Sequence, residues 1–276
     1  MFGRMLRITL HYLSMTYRSR VALIFSLLMP LVFTVVLGVV MGQDSADAAT
    51  GPTVMEATAG GPIVVVVTPA GNAPPQALRA DGFSQSSPGM LVTFGLASIM
   101  ASAITLLLER QSGTLRRLLT APLTRWAVMG GKLGGVMTAG VLQALILILA
   151  GAFVFRVNWG QAPLALAVMV LAFAFAVSGL GMAIAGLARS YAQANALSQI
   201  LTYSTAALGG AWWPFDIVPQ WMQRAAMITP AYWAMRGFQD IIVRGQGVAA
   251  ILPSAAVLAI MGAAFLAVGL NRFKDA

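Results

Sequence analysis

Residues 89–155 read GMLVTFGLASIMASAITLLL (89–108), ERQSGTLRRLLTAPLTRWAVMGGK (109–132) and LGGVMTAGVLQALILILAGAFVF (133–155). The two outer runs are uncharged and long enough to cross a bilayer as helices, which takes about 20 residues. The segment between them gathers five of the chain's seventeen basic residues, and the positive-inside rule places it in the cytoplasm. A membrane protein that keeps a Gly- and Pro-punctuated polar loop there shows a docking surface to a soluble partner.

Working outward, the same test finds six uncharged stretches: Val21–Met41, Gly89–Leu108, Leu133–Phe155, Pro163–Ala188, Asn195–Trp213 and Val248–Leu270. With the N-terminus in the cytoplasm, twelve of the seventeen basic residues fall inside, while Arg79, Arg156, Arg224, Arg236 and Arg244 fall outside. Acidic residues divide the other way, with only Glu109 and Asp275 inside. The expectation is an all-α integral membrane protein, one domain over 1–276, with six spans and both termini cytoplasmic. Composition agrees, since 59% of residues are hydrophobic and 9% charged. The net charge of +9 follows from topology, because no soluble face carries basic residues interleaved with aromatics, and nucleic acid is not an expected partner.

Ahead of the first span, Phe2, Leu6, Leu10, Leu13 and Tyr17 recur at helical spacing opposite Arg4, Arg7, His11 and Arg18. This pattern predicts an amphipathic helix over 1–20 lying in the inner interface among membrane lipids, or a solvated helical tail. Ala46-Asp47-Ala48 resembles a cleavage site, but the apolar run before it exceeds the 7–15 residues of a signal peptide, so an uncleaved helix is expected. The external segment 42–88 holds a β-branched run bounded by Pro62 and Pro69 and reads as a small cap or a loop.

The second external segment, 212–247, carries Trp212, Trp213, Phe215, Trp221, Tyr232 and Trp233. Pro219 and Pro230 each stand where a short helix can begin. Two short re-entrant helices are expected, serving as an aromatic belt at the headgroups or as an external gate. Polar side chains inside the spans share faces: Ser98, Ser102 and Thr105 on the second, and Asn195, Ser198, Thr202 and Thr205 on the fifth. In lipid such groups need partners, so they pack between helices or line a pathway.

Glu109-Arg110 with Gly113-Thr114-Leu115, then Thr120-Ala121-Pro122-Leu123-Thr124-Arg125, resemble the cytoplasmic loop of ABC-2 type export permeases. Gly209-Gly210-Ala211-Trp212-Trp213-Pro214 and Thr229-Pro230-Ala231-Tyr232-Trp233 are similar to that family's last external segment. The resemblance covers essentially the whole chain and implies a type V-like exporter permease of a bacterial-type inner membrane. It further implies a dimer with a second copy or a paralogue, driven by a cytoplasmic ABC ATPase that binds ATP and Mg. The first external segment is shorter than in members with a large external domain, which argues against extensive bridging outside the cell.

The residues agree that energy comes from elsewhere. No G-x-x-x-x-G-K-[ST] occurs, and Gly130-Gly131-Lys132 lacks the upstream glycine and the following hydroxyl. With no cysteine and only His11, the chain offers no thiol nucleophile, no cysteine or histidine metal cluster and no intramembrane carboxylate. A membrane enzyme is therefore disfavoured. A proton- or cation-coupled secondary transporter is disfavoured too, because its spans would usually hold an ionisable group. A non-transporting assembly subunit is the other alternative. Within the loop, Gly113 and Pro122 bracket Leu115, Leu118 and Leu119 on one helical face, with Arg116 and Arg117 free for a partner. The expected coupling site is thus Glu109, Arg110, Gly113, Thr114, Leu115, Arg116, Arg117, Leu118, Leu119 and Pro122.

Overall fold

A computed structural model describes Thr9 and residues 20–50, 82–113, 125–215 and 218–272. The described residues form eight helices and no strand: α1 (Arg20–Thr50), α2 (Gly82–Gln111), α3 (Arg125–Phe153), α4 (Pro163–Leu187), α5 (Tyr191–Leu208), α6 (Gln220–Ala226), α7 (Pro230–Ile242) and α8 (Val248–Arg272). The interfacial helix expected over 1–20 lies outside the described residues except Thr9 and Arg20, and so do 51–81 and 114–124.

Among the described residues, three helices are long and apolar enough to cross a membrane, over Val128–Phe153, Pro163–Leu187 and Val248–Arg272; a shorter apolar stretch covers Ser26–Val40. The other two expected spans coincide with α2 and α5 but are more polar. The first turns of α2 carry Ser84, Gln85, Ser86 and Ser87, while α5 carries Gln193, Asn195, Gln199 and four Thr or Ser residues.

Helix ends differ from the apolar runs for local reasons. The first helix continues beyond residue 41 to Thr50, and α2 starts at Gly82 rather than 89, absorbing Pro88. The fifth helix starts at Tyr191, ahead of Asn195, because Ser190 caps it. The Ser190 hydroxyl accepts from the Gln193 N–H at 3.2 Å, and Gln193 Oε1 accepts from the Arg189 N–H at 2.9 Å. The first bond satisfies an amide that the first turn would otherwise leave open, and the second satisfies the amide just ahead of the cap.

The core centres on α2, which packs against α1, α3, α4, α5 and α7. Its buried face comprises Leu91, Val92, Leu96, Met100 and Leu107. The most extensive helix pair is α4 with α8. A Cβ at Gly179 would overlap the Gly262 carbonyl, and one at Gly269 would sit 2.8 Å from the Met182 carbonyl. Because lipid gives helices no hydrophobic drive to associate, backbone approach of this kind supplies the dispersion contact that holds them. Outward faces remain apolar, with Ile24, Leu28, Val36, Leu149 and Ile260 exposed.

Candidate functional site

The polar loop between the second and third expected spans begins where α2 ends. The Ser112 N–H bonds to the Leu108 carbonyl at 2.9 Å, and Gly113 adopts φ +71° with no atom within 4 Å of a Cβ placed there. Left-handed glycine stops the helix at that point. Glu109, in the last turn of α2, forms an ion pair with Lys132 of α3. Lys132 is 6% exposed, beside an apolar cluster of Val128, Met129, Met182 and Ala185 packed with Leu133. The pair closes the base of the loop, so the chain leaves and returns at one place. Two further bonds meet there: Gln111 Nε2 donates to the Arg189 carbonyl at 3.1 Å, and Thr9 Oγ1 donates to the Gly131 carbonyl at 3.0 Å.

Of the expected coupling residues, Glu109 therefore contacts its own chain, and Gly113 marks the helix end. The side chain of Arg110 and all of Thr114, Leu115, Arg116, Arg117, Leu118, Leu119 and Pro122 lie outside the described residues. The residues alone did not single out Lys132 as the partner of Glu109, since their meeting depends on how two helices pack.

At the opposite end, five of the six aromatic residues expected as a gate make ring contacts, in two groups. Trp212 lies edge-on to Trp213 at 5.9 Å between ring centres, and Tyr203 flanks Trp212 at 6.4 Å. Phe215 packs on Tyr232 at 5.0 Å, and Tyr232 meets Trp233 edge-on at 5.2 Å, separations typical of favourable aromatic pairs. Trp221 stands apart on α6 and is 69% exposed. Thr229 caps α7 through the Tyr232 N–H at 3.3 Å, and Pro230 occupies its first turn. Trp233 Nε1 donates to the Met227 carbonyl at 2.8 Å, while the Arg236 guanidinium lies 5.6 Å over the Trp233 ring. Asp240 and Arg244, one turn apart, form an ion pair. Arg236, Asp240 and Arg244, spaced four residues apart, thus divide between a ring contact and a charge contact.

The polar faces are brought together only in part. Ser198, Thr202 and Thr205 are buried, on the helix that packs chiefly on α2. Thr205 Oγ1 donates back to the Leu201 carbonyl at 2.5 Å. Asn195 is half-buried and accepts from Gln199 at 3.3 Å. On α2, Ser98 is half-buried and Thr105 exposed, and the side chain of Ser102 lies outside the described residues. Among the described residues no group of acidic, His or Cys side chains is placed to hold a metal ion.

The chain matches the family described as ABC-2 family transporter protein over residues 68–271. It is 34% identical over 198 residues to the linearmycin resistance permease protein LnrN of Bacillus subtilis (strain 168), covering 72% of this chain and 49% of that protein. It is 25% identical over 152 residues to the probable multidrug ABC transporter permease YbhR of Escherichia coli (strain K12), covering 55% and 40%. It is also 27% identical over 182 residues to the inner membrane transport permease YhhJ of the same organism, covering 65% and 48%. The chain thus spans half or less of the length of these relatives.

Proposed function

Because the chain belongs to the ABC-2 family of transporter proteins, and so is a membrane transport subunit without catalytic activity of its own, we propose that it forms the permease of an ATP-driven exporter. Two permease copies, or this chain and a paralogue, surround a pathway, and a cytoplasmic ABC ATPase binds ATP and Mg. Six spans cross the inner membrane with both termini in the cytoplasm. Substrates are amphipathic, drug-like or lipid-like molecules, in keeping with relatives named for linearmycin resistance and multidrug transport.

The observation that carries this reading is the Glu109–Lys132 pair. By joining the last turn of α2 to the second turn of α3, it allows a push on the loop to reach both helices together. The loop supplies Leu115, Leu118 and Leu119 to enter a groove on the ATPase, with Arg116 and Arg117 around the rim, an arrangement in which a few central apolar residues dominate binding. Ser98, Ser102, Thr105, Asn195, Ser198, Thr202 and Thr205 would form a mildly polar, uncharged wall once α5 turns away from α2. At the outer end Trp212, Trp213, Phe215, Tyr232 and Trp233 close the path, with Trp221 anchoring in the outer leaflet.

The test is a pull-down from native membranes with the tagged full chain. Leu118→Asp and Arg117→Glu should each reduce the co-purifying ATPase roughly tenfold or more, the loss expected of a binding hot spot. Membrane insertion should be unchanged. Wild-type recovery of the ATPase and wild-type ATP hydrolysis with both variants would sink the assignment.

A further inference from the structure

Three residues of α2 that belong to neither the loop nor the aromatic set lie one helical turn apart: Gln85, Gly89 and Thr93. Positions i, i+4 and i+8 fall on one face of a helix. Each meets a successive residue of the turn that follows α5. Gln85 Nε2 donates to the Gly210 carbonyl at 2.9 Å. Gly89 faces the Ala211 carbonyl so closely that an added Cβ would overlap it. Thr93 Oγ1 accepts from Trp212 Nε1 at 3.1 Å, and itself donates to the Gly89 carbonyl at 2.9 Å.

The other end of the Gln85 amide is also occupied, since Gln239 Nε2 of α7 donates to Gln85 Oε1 at 2.7 Å. Gln85 is 3% exposed, and a buried amide at that depth must find partners for both ends or bear the cost of desolvation. Here it spends one end on the turn and the other on α7. Gly210 has φ +79°, a conformation that presents its carbonyl to α2 and favours glycine. The turn is therefore shaped by its own glycine and held by a complementary stripe on another helix.

We propose that Gln85, Gly89 and Thr93 are positioning residues that dock the Gly210–Trp212 turn onto α2, so that the helix leading from the cytoplasmic loop sets the position of the external aromatic segment. This rests on the reading of that segment as an outer gate. Removing the contacts releases the turn from α2 while the helices remain packed.

The chain lacks cysteine, which makes the docking directly measurable. Ala211 is 1% exposed, so a single Ala211→Cys in the full chain should react slowly with N-ethylmaleimide in detergent micelles. A second probe, Ala144→Cys on α3 in the main core, reports general loosening. Gln85→Leu, Gly89→Ala and Thr93→Val should each raise the labelling rate at position 211 about three- to tenfold, as expected for one lost hydrogen bond or one close contact. Position 144 should stay unchanged, and Thr93→Ser should restore the slow rate at 211. Unchanged labelling at 211 in all three variants overturns the proposal, and so does a parallel rise at 144 or a failure of Thr93→Ser to restore the rate. The assay reads docking and is independent of transport, so its failure and the failure of the gate reading are separable.

Discussion

Lys132 is buried, and the carboxylate of Glu109, itself 28% exposed, stands against its ammonium. Removing one member of such a pair leaves the other charge uncompensated, which costs about 3 kcal/mol when the survivor is the more buried one. Glu109→Gln should therefore lower the thermal midpoint of the purified chain more than Glu109→Gln with Lys132→Met together, because the double change removes both charges. A double variant as unstable as the sum of its singles would show that the two groups do not act as a pair. The sequence made Glu109 conspicuous as the first charge after a long apolar run, and its setting beside Arg110 and Gly113 pointed outward to a partner. Nothing in the order of residues places Lys132, separated from it by the whole loop, within reach of it. The same applies to Gln85, which reads as part of a polar external segment until Gln239 and Gly210 are brought to its two ends.

At the scale of elements, the seventh helix shows how an amphipathic pattern becomes a device. Ala231, Ala234, Phe238 and Ile241 are fully buried on one side, while Trp233 and Arg236 remain on the other with their ring contact. The burial anchors the helix, leaving its aromatic edge free to serve another purpose. Trp213→Ala or Trp233→Ala should thus alter ATP hydrolysis by the permease–ATPase complex in vesicles at least severalfold, with expression and insertion near wild type. If only stability and insertion fall, the rings are anchors and no gate. The two short helices with proline-marked starts near 219 and 230 were legible because the chemistry of helix starts is local. The early start of the fifth helix was equally local, written in Ser190 and Gln193, but an apolarity test passes over polar caps. The extension of the second helix down to Gly82 was not legible by that test either, since Gln85, Ser86 and Ser87 are polar, and their burial in the fold is not written in an apolar run.

For the whole molecule, the arrangement of charge predicts an orientation. Cysteine introduced at Gln246 should react with a membrane-impermeant maleimide in intact cells, and cysteine at Ser112 should not; labelling at 112 would invert the proposed topology. Within that frame the helices are not equally free to move. Where Gly179 meets Gly262, and Gly269 meets Met182, backbone approaches backbone closely, so at these two points the fourth and eighth helices have little room to slide past one another. In the proposed exporter this pair would be the stator, and alternation between inward and outward access would fall to the helices on the other side, as a rotor turning against a fixed strut; an alanine at Gly262 would act on that machine by prising its fixed part open.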